Sequence, residues 1–143
     1  MKRDAAKPLA DFTIKCSKRS RLFFRVKVWK SKRDMYANGP DQPHTYLACC
    51  ENYTAVNVHK DGRREMTGEC GTLHFYKGRT GTSTVSHEIT HAAFSWARRH
   101  RISLDSHPES ETSVANAEEA FCWVQGWLFG EIAKKFWATG IWV

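Results

Sequence analysis

The chain has 143 residues, 41% of them hydrophobic with six Trp and eight Phe, enough apolar material for a buried core, which excludes a disordered polyelectrolyte. Five cysteines, an odd number with no C-x-x-C pair, exclude a disulfide framework and point to a reducing, cytoplasmic setting. The formal charge of +7 is concentrated in residues 1–33, where twelve Lys and Arg face only Asp4 and Asp11, while the remainder is slightly acidic.

The opening MKRDAAKPLADF has charged residues but no apolar run after them, so no secretory signal is expected. The basic excess centres on KCSKRSRLFFRVKVWKSKR (15–33). Phe23, Phe24 and Trp29 interleaved with cations are a pattern that can grip a phosphate backbone and stack bases. Phe24, Val26 and Val28 also alternate with Arg25 and Lys27, and a half-buried strand with a solvated basic face is the preferred reading. Residues 31–44 close in the turn signals Asn38-Gly39-Pro40 and Pro43. Residues 44–60, rich in Thr, Tyr and Val, predict one or two strands containing the adjacent Cys49 and Cys50. Asp61-Gly62 predicts a hairpin turn, and GTLHFY (71–76) a further strand.

From about residue 85 the pattern becomes helical. Thr82, Ser83 or Thr84 can cap the start, and Ile89, Ala92, Ala93 and Trp96 form an apolar stripe. A loop over 102–110 and a long helix over 111–138 follow, the latter stopped by Gly140. Its most apolar stretch, AFCWVQGWLFGEIA (120–133), is short and carries Glu131, so it predicts a packed helix and no membrane partner. Strands first and helices after predict one α+β domain over 1–143, its N-terminal strands antiparallel, with no linker to split it.

The second motif is HEITH, residues 87–91. Four residues apart on a helix, His87 and His91 share a face and can direct both imidazoles at one zinc ion. Glu88, turned about 100° away, can act as general base on a zinc-bound water and return the proton to a leaving amine. Zinc needs a third protein ligand. Phe94 and Ala97 stand where the extended metzincin motif requires Gly and His, which excludes that class. The candidates are Glu119, Glu118 and His107. Glu119 is preferred because Glu119, Cys122 and Gly126 form a narrow stripe of small residues that would let the second helix approach closely. The oxyanion donor is open among His74, Tyr76, His100 and His107.

HEITHAAF followed by EEAFCWVQGWL resembles the zincin metallopeptidases of gluzincin type. The resemblance covers residues 70–135, is closest to minimal phage-encoded forms, and is more distant to the ImmA/IrrE-type peptidases. It implies a zinc-dependent peptidase acting on a protein or peptide substrate, in a host cytoplasm if phage-encoded. His87, His91 and Glu119 are then the metal ligands and Glu88 the base. It also implies an edge strand beside the active helix that holds substrate, a place GTLHFY (71–76) would take. A looser similarity is to SprT-type proteases, which use three histidines; His107 fits it, but no cysteine-rich zinc ribbon is present. Two other function classes compete. One is a nucleic-acid-binding module with structural zinc, carried by residues 1–33. The other is a host-protein-binding module with a relict site, carried by the Trp-bearing tail FWATGIWV (136–143).

Overall fold

In residues 23–29 the alternation works as expected. Phe24, Val26 and Val28 are buried, while Phe23, Arg25 and Lys27 lie half-buried on the other side. The computed structural model describes residues 6–40, 46–53, 55–100 and 111–142. Within them the chain order is β1 (Ala10–Lys15), β2 (Phe23–Trp29), α1 (Lys32–Asn38), β3 (Cys49–Asn52), β4 (Val56–Val58), β5 (Arg64–Met66), β6 (Glu69–Tyr76), α2 (Thr82–Arg99) and α3 (Glu111–Ala138). The class is mixed α and β, with three helices where two were expected. The additional helix, α1, starts where the Ser31 hydroxyl accepts from the Asp34 N–H at 3.1 Å, a cap the turn-rich sequence around it obscured.

Four strands form one sheet in the order β1-β2-β6-β3, and β4 and β5 form a separate hairpin turned at Gly62, whose φ of 83° suits glycine. Two expectations need correction. The sheet is not wholly antiparallel, because β2 and β6 pair in parallel. GTLHFY belongs to β6, which lies between β2 and β3 and is therefore interior; the edges are β1 and β3, and β3 is the one beside it. Residues 70–75 are all buried because helices cover both faces. Leu73 and Phe75 face α2 and α3 in the main core with Ile89, Leu128 and Phe136. Thr72, His74 and Tyr76 point the other way by alternation, toward the side of α1.

Beneath α1, His74 is 2% exposed. The Trp29 indole N–H donates to its Nδ1 at 3.1 Å, so Nε2 carries the ring proton and donates to Glu51 at 3.3 Å. Burial lowers the pKa of His74, and the Glu51 bond only partly opposes this. On the other face, α2 and α3 run antiparallel, registered by Gln125 donating to the Thr90 hydroxyl at 2.8 Å and by the Phe94–Phe121 ring contact. Helix α2 begins after Gly81, which supplies no side-chain cap; Thr82, Ser83 and Thr84 lie inside the first turn and do not cap it. At its far end Arg99 reaches back to the start of β6, donating to the carbonyls of Thr67 at 2.6 Å and Glu69 at 3.2 Å. Helix α3 ends before Gly140, whose φ of 74° makes the stop expected of it.

Two stability outcomes follow. Arg99→Ala strands two carbonyls and costs about 1–3 kcal/mol, read as a lower denaturation midpoint; an unchanged midpoint contradicts the tether. His74 is held neutral, so the folded state binds fewer protons than the unfolded chain. Its stabilising contribution is complete above the ordinary histidine range near 6.5 and is lost as pH falls through that range to the lowered folded value. Thermal melts should weaken on acidification, and His74→Gln should remove part of that dependence.

Candidate metal and catalytic site

Helix α2 is amphipathic in the sense its sequence implies: Val85, Ile89, Ala92 and Ala93 are buried on the sheet side, and His87 and His91 are exposed. One turn apart, the two rings meet edge to face with centroids 4.9 Å apart and Nε2 atoms 3.3 Å apart. Two imidazole nitrogens on one tetrahedral zinc, each at roughly 2.0–2.1 Å, would stand about 3.3 Å apart. The pair has that separation already. Burial and the neighbouring His87 and Arg98 lower the pKa of His91, which favours the neutral, ligating form.

Glu88 is the residue whose environment the sequence did not disclose. It is 5% exposed, placed by the helix between the histidine face and β3. Among the described residues its carboxyl accepts no hydrogen bond, and the nearest cationic partner is the His87 Nε2 at 3.9 Å. Burial alone pushes its pKa up to about 7. A buried carboxyl that accepts no hydrogen bond among the described residues, beside two converging imidazoles, suits a proton-transfer role.

These three side chains border a cavity of about 740 Å³ between α2 and the segment entering the edge strand. Ser83 and Thr84 of α2, Pro40, and Tyr46 to Cys50 complete its wall. Cys50 projects toward Glu88, and burial followed by that carboxyl pushes its thiol up to about 12, so it is a neutral thiol at the site. Tyr46 and Leu47 are exposed apolar side chains at the mouth. Cys50, Tyr46 and Leu47 escaped the sequence reading, since only the pairing of β3 beside α2 brings them to HEITH.

The other anticipated residues fall elsewhere. Glu118 and Glu119 are exposed on α3, and neither lines the cavity. Glu119 lies four residues before Trp123, on the stripe that includes Trp127, whose indole donates to the Lys15 carbonyl on β1. His107 lies outside the described residues. Among the described residues no group of three or more His, Cys, Asp and Glu side chains is arranged to hold a metal. For the oxyanion, His74 and Tyr76 sit on the α1 side of the sheet, away from α2, and His100 packs on Trp96 at the end of α2. The basic strand offers no stacking surface through Phe24 or Trp29, which are buried. The tail is folded back: Phe136 is buried, and the Trp142 indole donates to the Thr80 carbonyl at 2.6 Å. Among the described residues no helix is long and apolar enough to cross a membrane.

No protein-family model, no curated protein and no solved structure matches the chain.

Since His87 and His91 are exposed, replacing either by Ala should change stability by no more than about 0.5 kcal/mol. Zinc affinity should fall by more than about 100-fold in each, because even loss of a group that merely orients a ligand typically costs 10–100-fold. Competition with a zinc-responsive dye gives the affinity; zinc held undiminished by both variants would remove the pair from the site.

Proposed function

We propose that the chain is a zinc-dependent peptidase of zincin type, with His87 and His91 as metal ligands and Glu88 as general base. The observation that supports this most is the 3.3 Å apposition of the two Nε2 atoms beside a buried carboxyl that accepts no hydrogen bond among the described residues. The third ligand is proposed as Glu119 on the resemblance to gluzincins alone, since neither Glu119 nor Glu118 lines the cavity; Glu118 and His107 are the alternatives. A zinc ion held there would supply Lewis-acid polarisation of a carbonyl and acidification of water.

The proton transfers fall to Glu88. A carboxyl with a pKa near 7 can accept a proton from water and still release it to a departing amine at neutral pH. Its burial keeps bulk water from competing for that proton. The strand β3 is the sheet edge next to α2, so an extended peptide can add to it through main-chain hydrogen bonds and lie across the cavity. Tyr46 and Leu47 at the cavity mouth then meet the substrate's side chains, favouring apolar residues near the cleaved bond. The edge strand beside this base supports a peptide as substrate over a small ester or sugar.

Glu88→Gln preserves shape and burial but cannot take a proton. Hydrolysis of a denatured protein or peptide-library substrate should fall by about 100- to 10,000-fold, the usual scale for a general base. Zinc content should persist. Cleavage at an undiminished rate in Glu88→Gln would overturn the assigned base.

A further inference from the structure

The opposite flank of α3 carries a second arrangement, independent of the zinc reading. Trp123 and Trp127, one turn apart, stack with centroids 5.5 Å apart and planes 10° from parallel. Trp123 is 55% exposed, a large apolar surface to leave in water without use. The pair is held in place from both ends. Trp127 donates its indole N–H to the Lys15 carbonyl at 3.0 Å, and Lys134, about two turns further along α3, sits over its ring at 5.9 Å. Trp123, on the N-terminal side of the stack and one turn after exposed Glu119, is the more exposed of the two rings.

The strand contacts show what lies beside that ring. Phe136 meets Phe12, and Trp127 meets Lys15, so moving back along α3 means moving forward along β1. One turn before Trp127 is about 6 Å, close to two residues of strand. Trp123 therefore stands level with the start of the turn joining β1 to β2. That turn carries Lys18, Arg19 and Arg21, all exposed, next to exposed Lys15. None of the four forms an ion pair among the described residues, whereas Arg25 on β2 is neutralised by Asp11 and Glu69. The turn is also ordered by its own bonds, Cys16 N–H to the Leu22 carbonyl at 2.9 Å and Leu22 N–H to the Ser20 hydroxyl at 3.0 Å. An unsatisfied cationic loop next to an exposed aromatic ring matches a ligand that is both polyanionic and planar.

We propose that this flank, Trp123 with Lys15, Lys18, Arg19 and Arg21, binds single-stranded nucleic acid. The cations track successive phosphates and an unpaired base stacks on Trp123. A duplex offers the same phosphates but keeps its base planes stacked inside, which favours the single strand. The aromatic element comes from α3, 100 residues away in sequence from the basic turn, and not from the aromatics interleaved with the cations, of which Phe24 and Trp29 are buried in the fold.

The test uses the full chain and a fluorescein-labelled oligothymidine of about twenty nucleotides, followed by anisotropy over a salt series. Four phosphate contacts on a single strand predict a slope of log K against log salt of roughly −3. Replacing Lys18, Arg19 and Arg21 together by Ala should bring it to about −1. Trp123→Ala should weaken binding roughly 5- to 150-fold, and Trp123→Phe should recover most of the loss. A matched change in the other exposed basic turn, Arg63→Ala with Arg64→Ala on the β4–β5 hairpin, should leave affinity within about twofold. Absence of binding at low salt overturns the proposal. So does unchanged affinity in Trp123→Ala, equal affinity for a duplex of the same length, or an equal loss from the β4–β5 control. Binding retained in Glu88→Gln and in the histidine variants separates this surface from the metal site, so either reading can fail alone.

Discussion

A carboxyl taken out of water with nothing to bond is expensive, and the arrangement around Glu88 depends on how that cost is met. An isolated ionised carboxylate in an apolar interior costs several kcal/mol after relaxation. In this fold the group stays closer to neutral, its pKa pushed up to about 7. The alternatives are a bound cation beside it or a transferred proton on it, and both are uses that an enzyme makes of such a group. The same residue on the outer face of α2 would be an ordinary surface glutamate.

What puts Glu88 there is the packing of α2 on the sheet. Val85, Ile89, Ala92 and Ala93 are fully buried, and that apolar stripe sets the helix rotation. With the rotation set, Glu88 turns toward β3 and the histidines toward the opening, without further choice. Arg99 and the Thr90–Gln125 bond hold the C-terminal end and the flank of α2, the first to the start of β6 and the second to α3. The sheet order adds the remaining element, since among the described residues β3 pairs with a strand on one side only and its residues border the cavity.

Much of this was legible in residues alone, and the misses have physical causes. HEITH on an amphipathic helix, the long second helix and the strand at 23–29 follow from periodicity, which is a local property. The place of 71–76 did not, because a strand's neighbours depend on the crossover between β2 and β6, and no local pattern encodes a parallel pairing across forty residues. Glu88's burial was hidden for the same reason: it depends on β3 lying alongside. Cys122 and Gly126 do face Ser86 and Ile89 of α2, across a second cavity, while Phe121 and Gln125 make the direct contacts beside them. The cations of residues 15–33 divide likewise, some neutralised on the sheet and some left open at the turn, a division set by tertiary neighbours.

Zinc K-edge X-ray absorption on the protein loaded with one equivalent of metal addresses the coordination directly. Two imidazole nitrogens at roughly 2.0–2.1 Å and one carboxylate oxygen at roughly 2.0–2.2 Å are predicted, with the imidazole signal halved in His91→Ala. A shell dominated by sulfur, or one unchanged by loss of His91, would contradict a site built on HEITH.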